Sequence, residues 1–228
     1  MNLYGYSSLN QLRGVLLFLL CGFLLTGCID LASQESAKKA HVYPAIKGEV
    51  YTMRGGLGGV FSTGMNELKD TLERDYKIKT ASTVWYKSNQ LSKKIIKDYH
   101  GSKHPGPIVL VGHSLGANEQ IKVSETLLRA HIPVALLITV ETVLPYKIPP
   151  NVQTVLNLYT PSPVFIPMFT GLKVRAEEPE FTSVDNIDVS HLKNISVNHF
   201  TIDKNKEVQK IMLEHVLSAL NYSHQKQG

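Results

Sequence analysis

Apolar and polar positions along the chain follow two periods, and the change between them marks out the elements. STGMNELKDTLERDY, residues 62–76, places Met65, Leu68 and Leu72 at helical spacing and predicts an amphipathic helix with Ser62 available as its cap. NQLSKKIIKDY does the same with Leu91, Ile95 and Tyr99. ASTVWY reads as a strand, and VYPAIKGEVYTMRGG as a β-rich run ending in glycines. GPIVLVG, PVALLITV and VQTVLNLY each read as a buried strand, and LGANEQIKVSETLLRAH predicts a helix after the first of them. A last helix is expected where Val208, Ile211, Met212, Val216 and Leu220 recur at helical spacing. Strands that are apolar throughout and separated by helices imply a parallel sheet covered on both faces. The expected fold class is therefore α/β, a single domain with a mostly parallel sheet. Two stretches resist the pattern. Residues 142–151, TVLPYKIPPN, are short for a helical crossover, and residues 160–190 carry prolines and apolar residues without clear periodicity.

The N-terminus has a different character. One basic residue, Arg13, precedes an apolar run over residues 15–25, too short for a comfortable bilayer span and shaped like the core of a signal peptide. It ends in LTGC, residues 25–28, which resembles the lipobox of bacterial lipoproteins. The resemblance implies cleavage before Cys28 and lipidation of that residue, with an uncleaved membrane anchor as the rival. The expected organisation is a signal peptide over residues 1–27, a lipidated cysteine with a polar tether over 28–41, and a catalytic domain over 42–228. The chain would then face the periplasm or the exterior of a bacterial cell envelope, held to the membrane through Cys28. The two cysteines, Cys21 and Cys28, both lie in this leader, so the mature domain has no pair to oxidise.

Composition narrows the classes further. At 228 residues, 43% hydrophobic and 19% charged, the chain suits one ordinary globular domain. The formal charge of +5 comes from dispersed basic residues, with no arginine-rich run or aromatic-plus-basic motif, so no nucleic-acid partner is expected. His100 and His104 are four apart, but Gly101 and Pro105 put them on a loop. With no His-Glu-x-x-His string, no metal is expected. GGLGG lacks the Gly-Lys-Ser/Thr ending that grips phosphate, and no cofactor is expected.

The chemistry-bearing stretch is VGHSLGA, where Ser114 stands between Gly112 and Gly116, after a buried strand and before a helix. That context is what a nucleophile elbow requires. With YTMRGGLGGVFSTGMNEL upstream, residues 48–221 resemble the α/β-hydrolase family, in its small thioesterase- and lipase-like branch. The resemblance implies Ser114 as nucleophile and an oxyanion hole from the N–H of Leu115 and one N–H of the glycine turn. Gly55, Gly56, Leu57 and Gly58 are the candidates there, with Gly56 or Leu57 foremost. A serine needs a base within reach. The family order of serine, acid and histidine sets aside His41, His100 and His104, and family histidines at the position of His113 are structural. His131 follows the elbow helix, His215 lies among the apolar positions of the last helix, and His224 is in a tail. His199, in ISVNHFTID before the final helix, is the expected base, with His191 as alternative. Glu141, closing the strand LLITV, is the expected acid, with Asp185 and Asp188 as alternatives.

The resemblance thus implies a serine hydrolase that cleaves a carboxylic ester or thioester through an acyl-enzyme, an envelope location favouring an ester of a lipid or cell-envelope component. A non-catalytic binding module on a hydrolase scaffold and an acyltransferase are the alternatives. The oligomeric state is left open. The apolar group Val164, Phe165, Ile166, Met168, Phe169 and Leu172 reads either as core or as a hydrophobic wall over the serine.

Overall fold

The computed structural model describes residues 48–161, 171–193 and 195–220. The leader, Cys21, Cys28, the tether, His41, His224 and residues 164–169 of the apolar group lie outside them. In chain order the elements are β1 (Glu49–Arg54), α1 (Gly64–Tyr76), β2 (Thr80–Val84), α2 (Ser88–Gly101), β3 (Ile108–His113), α3 (Leu115–Arg129), β4 (Val134–Val140), β5 (Lys147–Ile148), β6 (Val152–Tyr159), β7 (Arg175–Ala176), β8 (Ser183–Asp188) and α4 (Lys206–Ala219). Six strands form one sheet in the order β2-β1-β3-β4-β6-β8, and every neighbouring pair is parallel. This is the expected single α/β domain, with a parallel sheet covered on both faces.

Strand alternation assigns the helices to faces. Val109 and Val111 of β3 point to one side, where Met65, Leu68 and Leu72 of α1 pack with Val208, Met212 and Val216 of α4. Leu110 points to the other, against Leu91 and Ile95 of α2 and Ile121 and Leu127 of α3. Because both faces are covered, central strands are apolar at consecutive positions: all six residues of β3 are buried.

The two stretches without a clear pattern have physical explanations. Residues 141–151 join the parallel neighbours β4 and β6 without a helix, carrying only the two-residue strand β5, which pairs with β7. The edge strand β8 has the sequence SVDNID and no fully buried residue, so it shows no apolar run. Polar groups help hold it. Asn157 of β6, fully buried, donates from Nδ2 to Asn186 Oδ1 at 2.9 Å, and Asn186 accepts the N–H of Val174.

The start of α1 also departs from expectation. Ser62 does not cap the helix; Thr63 occupies the cap position without a side-chain bond. The N–H of Gly64 instead donates to Oδ2 of Asp203, 2.9 Å away and fully buried. A side chain at Gly64 would forbid this approach, since its Cβ would fall 2.0 Å from the Asp203 carbonyl oxygen. Burial pushes the Asp203 carboxyl up to about 7, against the opposing pull of the Gly64 N–H. An acid whose folded pKa is raised binds its proton in the native state while the unfolded chain has released it. Its contribution to stability is therefore present at low pH and is lost as pH rises from about 4 to about 7. Asp203→Asn removes this term. Its unfolding free energy, relative to wild type at each pH, should rise by about 1 kcal/mol per pH unit across that interval, read from urea titrations. A difference independent of pH would refute the assignment.

Candidate active site

In a parallel sheet all strands end at the same edge, and ligands collect where successive connections leave in opposite directions. Here that place lies between β1 and β3: the chain runs from β1 outward to β2, then crosses back to β3. The carboxyl ends of β1, β3, β4 and β6 deliver, in that order, the glycine turn at 55–59, Ser114, Glu141 and Thr160.

Ser114 has φ 58° and ψ −127°, a conformation side chains rarely adopt, and opens α3 directly from β3. Its own N–H is held by the Val140 carbonyl at 2.8 Å. The flanking glycines are a matter of clearance. A Cβ on Gly112 would fall 2.5 Å from the Gly116 carbonyl oxygen, and one on Gly116 would fall 2.4 Å from the Met53 carbonyl oxygen. The strand, the helix and the neighbouring strand meet backbone to backbone.

Glu141 lies one residue beyond β4, fully buried, with φ 53°, its N–H bonded to the Leu158 carbonyl. One carboxylate oxygen, Oε1, accepts the N–H of Thr160 and its hydroxyl, the latter at 2.8 Å. The other, Oε2, lies 3.1 Å from Nδ1 of His199. His199 is 5% exposed and sits in a turn organised by Asn198, whose side chain accepts the N–H of Phe200. Its Nε2 lies 3.0 Å from Ser114 Oγ. A carboxylate only accepts, so Nδ1 carries the hydrogen and Nε2 is left to accept from the serine hydroxyl.

Beside the serine runs the glycine turn. A Cβ on Gly55 would lie 2.9 Å from Ser114 Cβ, and one on Gly56 would lie 3.3 Å from the Leu115 side chain. The N–H of Gly55 is committed to Ser62 Oγ at 3.0 Å, which removes Gly55 from the oxyanion candidates. Leu115 is the first residue of α3, so its N–H has no partner within the helix. Leu57 has φ 52° and is 53% exposed, and with Val60 and Phe61 it gives this edge an apolar rim. The Phe61 ring meets that of Phe200 at 5.2 Å.

The structure thus brings Ser114, His199 and Glu141 together and sets Gly56, Leu57 and Leu115 alongside. The alternatives stand elsewhere. His191 has an 84% exposed side chain with Nε2 3.3 Å from Asp188. Asp188 accepts from Ser190, and Asp185 is opposite Leu156 on the edge strand. His215 donates to the Ile211 carbonyl of its own helix, and His100 and His104 are exposed. Among the described residues, no group of three or more His, Cys, Asp or Glu side chains is arranged to hold a metal ion.

Four supporting residues were not singled out as site residues from the sequence. Thr160 directly follows an apolar strand, a position that could have drawn notice. Asn118 accepts the N–H groups of Val143 and Leu144 and so fixes the loop after Glu141. Ser62 and Asp203 work through partners 51 and 139 residues away, beyond any local signal.

A scan against protein-family models found no match, and a search of curated proteins found none. Among solved structures, the chain is similar to a cutinase-like protein from Cryptococcus sp., with 12% identity, TM-score 0.48, and 76% of this chain and 95% of that one covered. It is likewise similar to a putative hydrolase of the α/β superfamily from Xanthomonas campestris pv. campestris, with 10% identity, TM-score 0.39, and coverage of 75% and 99%. A third is the RedJ thioesterase of the prodiginine pathway in Streptomyces coelicolor, with 11% identity, TM-score 0.46, and coverage of 77% and 91%.

The close crossing at the elbow makes a direct test of the local packing. Gly116→Ala should lower stability by about 1–3 kcal/mol in urea unfolding, because the clashing atoms are backbone and cannot rotate away. A neutral substitution would contradict the crossing described.

Proposed function

We propose that this protein is a serine hydrolase that cleaves a carboxylic ester or thioester through an acyl-enzyme. The observation that carries this reading is the continuous hydrogen-bond chain from Ser114 Oγ through His199 to Glu141, mounted on a serine in a strained elbow. Ser114 attacks the acyl carbon while His199 Nε2 takes its proton, and buried Glu141 stabilises the imidazolium. The oxygen that becomes negative is received by the N–H of Leu115 and that of Gly56 or Leu57, which need no reorganisation. His199 returns the proton to the leaving group. It then draws one from water, whose oxygen attacks the acyl carbon, and passes that proton to Ser114 Oγ as the acyl–serine bond breaks and the acid leaves.

The apolar rim of Leu57, Val60 and Phe61 favours an acyl group that is itself apolar. Alcohol acceptors added to the assay separate hydrolysis from acyl transfer. For the leader, the reading is a lipid-anchored envelope protein modified at Cys28, supported by the LTGC string and the apolar run before it. Such a location favours an ester of a lipid or envelope component over a soluble thioester.

Two outcomes test this. Against p-nitrophenyl esters, Ser114→Ala and His199→Ala should each lose about 10⁶-fold in kcat, and Glu141→Gln about 10³–10⁴-fold. Full activity of Glu141→Gln would remove Glu141 from the mechanism. Mass spectrometry of the mature N-terminus should find acyl chains on Cys28, and Cys28→Ser should leave an unprocessed precursor. An unmodified Cys28 would end the anchor proposal.

A further inference from the structure

The histidine within the elbow is connected at both ring nitrogens. His113 is 1% exposed, its ring 5.2 Å from the ring of His199. Nε2 lies 2.9 Å from the backbone oxygen of His199, and Nδ1 lies 2.7 Å from Ser62 Oγ. The roles in this chain are forced from its ends. A carbonyl only accepts, so Nε2 carries the hydrogen. Burial and the neighbouring His199 push His113 down to about 3, so the ring is neutral at working pH and Nδ1 offers a lone pair. Ser62 must donate its hydrogen there, and its oxygen accepts the N–H of Gly55.

The two ends of the chain lie in the two halves of the proposed machinery. Gly55 begins the turn that carries Gly56 and Leu57, and the His199 peptide carries the base. Glu141 and Ser114 fix the tip of the His199 side chain, whereas His113 fixes its root. We propose that Ser62 and His113 are positioning residues for acyl transfer: the His199 carbonyl fixes the His113 tautomer, Ser62 ties the His113 ring to the Gly55 N–H, and His113 Nε2–H sets the His199 main chain relative to the oxyanion turn. This rests on the serine-hydrolase reading above.

The tautomer matters because the other neutral form would turn the Nε2 lone pair against the His199 oxygen, repelling the main chain it now holds. Neutrality matters because a charge on His113 would oppose the imidazolium that forms on His199 during turnover. Neither residue touches the serine oxygen, so their effect falls on kcat rather than on substrate binding. A displacement of about 1 Å at the base is enough for a loss of about 10²-fold.

The experiment uses the full chain and p-nitrophenyl butyrate, with histidine ¹⁵N shifts as a second readout. In wild type, His113 should hold the Nε2–H tautomer from about pH 5 to 9, consistent with its depressed pKa. Ser62→Ala leaves the His199 carbonyl to hold the Nε2–H tautomer but releases the Gly55 N–H and the Nδ1 side of the ring, and should lower kcat by about 10²-fold, with KM within about 3-fold. His113→Gln retains an N–H at the reach of Nε2 and should stay within about 10-fold of wild type. His113→Asn, too short to reach the carbonyl, should fall by about 10²-fold even at a matched melting temperature. If wild-type His113 holds the Nδ1–H tautomer, if Ser62→Ala leaves kcat unchanged, or if the two His113 variants lose activity only in step with lost thermal stability, the proposal is overturned. Esterase activity that survives in Ser114→Ala overturns the underlying reading instead, and this one with it.

Discussion

Three backbones converge at residue 114. β3 ends there, α3 begins there, and β1 passes close enough that a methyl group on Gly116 would strike its carbonyl. The chain can make that crossing only by putting Ser114 at a positive φ, which turns its side chain out of the sheet. Strain of this kind costs about 1–3 kcal/mol and persists only where its surroundings impose it. Here they do: the Ser114 N–H is tied to Val140 in the next strand, and its carbonyl accepts from Ala117 and Asn118.

The rest of the site follows from the parallel sheet around that crossing. Adjacent strands bring Ser114, Glu141 and Thr160 out on one edge in register, although they lie far apart in sequence. Glu141 repeats the device of the serine, a positive φ directly after a buried strand, so two of the three proposed catalytic residues sit in strained backbone. The third, His199, has no strand beneath it. Its loop is instead fastened by hydrogen bonds from His113 behind it, and by Asp203 reaching across to the start of α1. The loop that belongs to no sheet strand thus draws its order from buried polar groups.

This division explains what could be read in advance. Elements whose stability comes from apolar burial announce themselves by period: β3, β4, β6, α1 and α4 all lie where the pattern placed them. Ser114 was legible because its glycines answer a local steric need. Glu141 stood out as a charge directly after a buried strand. What hydrogen bonds build left no such mark. The edge strand β8 is held through Asn186, and Ser62 looked like a helix cap because its partner, His113, lies 51 positions later. A residue's partner at that separation is a property of the fold, invisible to any local window.

The central claim is that the strained serine is an activated nucleophile. Reaction of the native protein with a fluorophosphonate, followed by peptide mapping, tests it most directly. The account predicts a single adduct on Ser114, lost when the protein is denatured first and strongly slowed in His199→Ala. No adduct on Ser114, or one formed equally well by the denatured chain, would contradict it.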